Sequence, residues 1–195
     1  GRSVAWGAQK FGCNCEIYIH RTVSVTREEA IAKYGAIVNR INGNYDESVH
    51  IAAEVSESNG YYVVSDTSYE GYTDIPKDVM QGYTVMVDEA MKQMEEVPTH
   101  VFLQGGVGGF PAAVVSFLVE SLECPPIFVV VEPTNADCLF QSAVNGEPTV
   151  VHGDLDTVMA GLACGEVSLL AWPILESYVS HFLSIQDDSI SKTMQ

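Results

Sequence analysis

The stretch THVFLQGGVGGFPAAVV, residues 99–115, constrains the fold more than any other part of the chain. A strand-length apolar run ends at Gly105, Gly106, Gly108 and Gly109. A second run, with apolar residues at helical spacing, begins at once. A strand that turns directly into such a helix packs it back across its own sheet, which is the start of a βαβ unit. The strand that follows must then lie parallel to the first.

The rest of the chain keeps this rhythm. VAWGAQKF reads as a short helix and CEIYIH (15–20) as a strand. Thr26-Arg-Glu-Glu29 has the form of a capping box for a helix running to Tyr34, with Gly35 as its stop. AIVNRI is the next strand. Asn44 and Glu47 open a further helix that Asn59-Gly60 closes, and YYVVS (61–65) reads as a third strand ending at Asp66. A mixed stretch over 67–77 separates two halves. A helix over 77–95 follows, burying Val79, Met80, Tyr83, Val87 and Met91 on one face. Then come a strand at 100–104, a helix at 108–122, a strand at 127–131, helical material at 136–144 and a last helical region over 155–185. The expected class is α/β, built of parallel-sheet, three-layer αβα units. Residues 1–75 form part of a smaller domain and 76–195 part of a larger one.

Charge narrows the ligands. Nine basic residues face 26 acidic ones, a formal net charge of −17. Such a surface disfavours nucleic acid and anionic membranes, both of which are held through Lys and Arg. No apolar run approaches the roughly 20 residues of a membrane span, and GRSVAWGAQK lacks the layout of a signal peptide. Cys13, Cys15, Cys124, Cys138 and Cys164 are odd in number and form no CxxC. They read as reduced thiols of a cytoplasmic protein. The scattered histidines offer no metal site.

With basic side chains scarce, an anionic ligand has to be held by backbone N–H groups. Glycines that accept positive φ can turn successive amides into one concavity, and the helix behind adds partial positive charge. Pro111 fits a first helical turn. Strand, glycine loop and helix together read as a phosphate site. The other reading is that the glycines only let strand and helix pack closely. Neither a Walker loop nor G-x-G-x-x-G is present.

In order along the chain, GRSVAW, NYDESV, SDTSYEGYTDIPKDVMQGY, PTHVFLQGGVGG, VVVEPTNADC and VMAGLACGE resemble the diaminopropionate ammonia-lyases. These belong to the fold type II pyridoxal-phosphate enzymes, the tryptophan synthase β-like group. The resemblance implies pyridoxal 5′-phosphate as cofactor and α,β-elimination of 2,3-diaminopropionate to pyruvate and ammonia. It also implies a homodimer. It places the cofactor phosphate at Gly106, Val107, Gly108, Gly109 and Phe110, and a catalytic carboxylate at Asp66. Asp66 has a second reading, as the cap of a turn. Tyr45, Tyr72 and Glu132 fall in matching segments and are candidates for the substrate pocket. The tyrosines read equally as packing, and Glu132 as a partner of backbone at a strand end. Cys138 and Cys164 match cysteines of the family pattern, which implies a disulfide.

In the family the cofactor-bearing lysine lies before the segment matched by Gly1. The expectation is therefore that this sequence is the central part of a longer enzyme, and that as written it does not form the lysine imine. Two alternatives stay open: a serine or threonine dehydratase of the same fold, and a non-catalytic α/β module that binds a phosphorylated ligand.

Overall fold

The structure, a computed structural model, describes residues 1–194. It divides into two compact units, one of residues 1–64 and the other from Ser65 on. The sequence reading puts the division at 75/76. Residues 65–73 belong with the second unit because Ser68 is hydrogen-bonded to Ser168 there.

The first unit begins with helix α1 (Arg2–Phe11), strand β1 (Glu16–Ile19), helix α2 (Val25–Ala32), strand β2 (Ile37–Arg40) and helix α3 (Tyr45–Asn59). β1 and β2 pair in parallel, with Glu16 opposite Ile37, and Ala5, Ile19, Ile31 and Ala36 form the core. The capping box of α3 is present in full. The Asn44 side chain accepts from the Glu47 amide, the Glu47 carboxylate accepts from the Asn44 amide, and Gly60 ends the helix in the left-handed region. α2 starts earlier than the Thr26–Glu29 box suggests, because Ser24 accepts from the Arg27 amide and is the actual cap. The expected strand at 61–65 does not form. It has no ladder to β1 or β2, and a strand exists only where a neighbour takes up its backbone groups.

The second unit contains helix α4 (Asp74–Gln93), strand β3 (His100–Gln104), helix α5 (Gly109–Ser121), strand β4 (Ile127–Pro133), helix α6 (Cys138–Asn145), helix α7 (Trp172–Tyr178), strand β5 (His181–Ile185) and helix α8 (Asp188–Thr193). The sheet order is β3-β4-β5, all parallel, with Leu103 opposite Val130 and Val130 opposite Phe182. α4 starts three residues before its expected position. Pro76 is accepted in its first turn, where backbone N–H groups have no intrahelical partner anyway. The last expected helical region resolves differently: residues 147–170 are irregular, α7 is short, and His181–Ile185 is a strand. What decides β5 is its ladder with β4, a long-range pairing that local pattern does not display. α5 lies at the centre, with Ala112, Val115 and Leu118 almost fully buried between α4 and α7. Among the described residues no helix is long and apolar enough to cross a membrane.

Candidate functional site

The site is built where β3 and β4 end side by side. Beyond β3, the Gly105 amide still donates to Val131 O at 2.8 Å. A methyl group on Gly105 would lie 2.6 Å from Glu132 Cγ and 2.9 Å from Val130 Cγ1, so glycine is required by close approach. Gly108 is the one residue of the cluster with positive φ, at 99°, and it opens α5. A methyl there would meet Ala171, Leu175 and Leu139 at 3.0–3.3 Å. The sequence reading gives all four glycines the same task. In the structure they divide it: close packing at Gly105, a left-handed turn at Gly108.

The loop's hydrogen bonds are asymmetric. Its carbonyls are used within the protein. Gly106 O accepts from Cys138 Sγ at 3.4 Å, Val107 O from the Ser168 amide at 2.8 Å, and Gly108 O from the Ala112 amide at 3.0 Å. Its amides are not: among the described residues, those of Gly106, Val107, Gly108, Gly109 and Phe110 donate to no protein acceptor. Residues 106–109 are nonetheless buried. Buried amides without an acceptor are rare and costly, and here they run in sequence into the start of a helix. That is the chemistry of an anion cradle.

Asp66 stands beside this cradle. A methyl on Gly109 would lie 3.5 Å from Asp66 Oδ2. The Asp66 carboxylate accepts a hydrogen bond of 2.8 Å from Tyr83 Oη. Tyr83 projects from α4, and its ring meets Phe110 edge-on, with centroids 5.6 Å apart. Burial, then the neighbouring Asp66 charge and the hydrogen bond donated to it, push the Tyr83 phenol far above the usual tyrosine range. It is therefore a permanent donor at neutral pH.

The other expected residues fall as follows. Tyr72 accepts from the Ser65 amide at 3.1 Å and stacks on Tyr69 at 4.9 Å, so it braces the segment carrying Asp66. Tyr45 opens α3 in the first unit, where its carbonyl accepts from Ser48 Oγ. Glu132 is fully buried, and its two oxygens accept from the Leu139 amide at 3.2 Å and the Phe140 amide at 2.8 Å. Its carboxyl group caps α6, which is the backbone role and not a substrate-pocket one. Burial pushes it up to about 8 despite those two bonds. Cys138 and Cys164 are buried thiols, so the implied disulfide is not formed; Cys138 Sγ donates instead to Gly106 O.

Sequence reasoning missed Tyr83, Ser68 and Ser168. Tyr83 falls on the apolar face of its helix, and its hydroxyl is the available signal. The Ser68 amide donates to Ser168 Oγ at 3.0 Å, and Ser168 Oγ donates on to Asp66 O at 3.4 Å. These bonds span about a hundred positions of sequence, where no local pattern reaches. Among the described residues, no group of His, Cys, Asp and Glu is placed to hold a metal ion.

Comparison with known proteins shows the family. The family model described as pyridoxal-phosphate dependent enzyme matches residues 1–195. The chain is 41% identical over 202 residues to diaminopropionate ammonia-lyase of Salmonella typhimurium, a match covering 100% of this chain and 50% of that protein. It is 43% identical over 191 residues to the Escherichia coli enzyme of the same name, covering 96% and 48%. The crystal structure of the Escherichia coli lyase in complex with an aminoacrylate-PLP azomethine reaction intermediate superposes with a TM-score of 0.89 at 41% identity, over 96% of this chain and 48% of that one. The chain thus spans about half the length of the curated relatives it matches.

Proposed function

The chain belongs to the pyridoxal-phosphate-dependent enzyme family and has its type II fold, and from that premise we propose that it supplies the phosphate cradle and a substrate-side carboxylate of a diaminopropionate ammonia-lyase. The observation that carries the reading is the row of amides over Gly106–Phe110, in residues buried from 106 to 109, that have no protein acceptor while the loop's carbonyls have protein donors. When bound, pyridoxal phosphate supplies an electron sink that makes the proton beside the substrate's amino group removable.

The chain's own residues have separate tasks. The amides of Gly106, Val107, Gly108, Gly109 and Phe110 hold the phosphate. The Phe110 ring and the irregular run around Cys164, which approaches Gly106, exclude water from the cradle. Asp66 holds the substrate's second amine or moves a proton at its carboxylate. The substrate is 2,3-diaminopropionate and the products are pyruvate and ammonia. A homodimer and a cytoplasmic location accompany the reading, supported by family resemblance.

The test is pyruvate release by the complete enzyme reconstituted with pyridoxal phosphate. Turnover on 2,3-diaminopropionate well above that on serine is expected. Serine preferred would make the protein a dehydratase of the same fold. Absence of a cofactor absorbance after reconstitution would reduce it to a non-catalytic phosphate-ligand module.

A further inference from the structure

Asp66 poses a problem for an anion site. Its carboxylate lies against Gly109, the first residue of α5, where the amides of Gly109 and Phe110 have no intrahelical partner. An aspartate so placed is a natural helix cap. Had it taken that role, a negative charge would occupy the cradle's own donors and repel a phosphate. In the structure it does not take it. Asp66 Oδ2 accepts from Tyr83 Oη, and the two amides remain without a protein acceptor.

We infer that Tyr83 is a positioning residue: its hydroxyl draws the Asp66 carboxylate away from the first turn of α5 and so reserves that turn's amides for the cofactor phosphate. The inference rests on the reading of the glycine loop as the phosphate site. Three features support it. The hydroxyl reaches Asp66 from α4, an element separate from the loop, and takes up the Oδ2 oxygen that lies nearest Gly109. The Tyr83 ring is fixed edge-on against Phe110, which sets the direction of the hydroxyl. Tyr72 and Ser168 hold the backbone on either side, at the Ser65 amide and at Asp66 O. With the backbone held at both sides, the carboxylate's partner is Tyr83.

The test is the dissociation constant of pyridoxal phosphate from the complete enzyme, measured on reconstituted wild type, Tyr83→Phe, Asp66→Asn and the double variant. Tyr83→Phe keeps the ring against Phe110 and removes only the hydroxyl. It is expected to weaken cofactor binding about tenfold, the scale of one charge-assisted hydrogen bond. Adding Asp66→Asn should bring affinity back to that of Asp66→Asn alone, because the competing charge is gone. A merely structural tyrosine would give no such rescue. Wild-type affinity in Tyr83→Phe, or a double variant that binds no tighter than Tyr83→Phe, overturns the inference alone. A wild-type enzyme that binds no pyridoxal phosphate overturns the phosphate reading and the inference with it.

Discussion

Two helices of the second unit begin in the same way and end up doing opposite things. α5 follows β3 and α6 follows β4, two strands paired in register whose carboxyl ends lie side by side. Both helices have a carboxylate near the first turn. At α6 the carboxyl group closes on the backbone: Glu132 accepts from the amides of Leu139 and Phe140. At α5 the carboxylate is held off by Tyr83, and the amides of Gly109 and Phe110 have no protein partner. A helix N-terminus is therefore not a binding site by virtue of its dipole. It becomes one when the protein withholds its own acceptors.

The contrast breaks most visibly with pH at the closed end. The Glu132 carboxyl is raised from 4.5 to about 8, first by burial, with its two backbone bonds pulling the other way. Between those values the unfolded chain binds fewer protons at this position than the folded one. Unfolding free energy therefore falls as pH rises through the window and levels off above about 8. At about 1.4 kcal/mol per unit the full window is worth up to about 5 kcal/mol. Glu132→Gln, which stays neutral, should flatten this fall. Urea unfolding at either end of the window measures it, and an unchanged difference would mean that α6 is not closed by a protonated carboxyl.

The open end breaks through its backbone. Gly108→Ala places a methyl group at a φ of 99° and within 3.0–3.3 Å of Ala171, Leu175 and Leu139. Left-handed backbone costs about 1–2 kcal/mol and overpacking about 1–3 kcal/mol. A loss of about 2–5 kcal/mol in folding stability is expected, with cofactor affinity falling about tenfold or more as the amides turn out of line. Gly146→Ala is the control: its φ of 74° is also left-handed, but it meets no neighbour and lies at the far end of α6. It should lose about 1 kcal/mol and leave cofactor affinity unchanged.

Legibility in the sequence follows the same division. The β3–loop–α5 unit was readable because strand, glycines and helix are contiguous. Asp66, from a separate motif, lies against Gly109 of that loop. What could not be read is who satisfies whom. Glu132 and Asp66 are both acidic residues just past strand-like runs, and nothing local says that one caps a helix while the other is held by a tyrosine seventeen positions on. Likewise, YYVVS and HFLSI look alike as apolar runs. Only HFLSI pairs with a neighbouring strand, along the free edge of β4, and becomes β5. Partners set by tertiary packing decide both outcomes, and a single sequence does not display them.

The smallest expected effect tests whether the two helix starts are independent. Ser68 and Ser168 are fully buried and form a balanced chain of bonds. The Leu170 amide donates to Ser68 Oγ at 2.8 Å, and the two hydroxyls lie 2.7 Å apart. Ser168 Oγ then donates to Asp66 O, which leaves the Ser68 hydroxyl as donor to Ser168. This chain ties the Asp66 segment to the run over the glycine loop, where the Ser168 amide also holds Val107 O. Ser168→Ala leaves the Ser68 amide and hydroxyl without an acceptor, for a loss of about 1–2 kcal/mol. Because none of these bonds touches α6, hydrogen exchange should quicken at the loop and at Ser68 while the Leu139 and Phe140 amides stay as protected as before. Equal quickening at both would mean that the open and closed helix starts are one cooperative unit, and that the difference between them is not set locally by Glu132 and Tyr83.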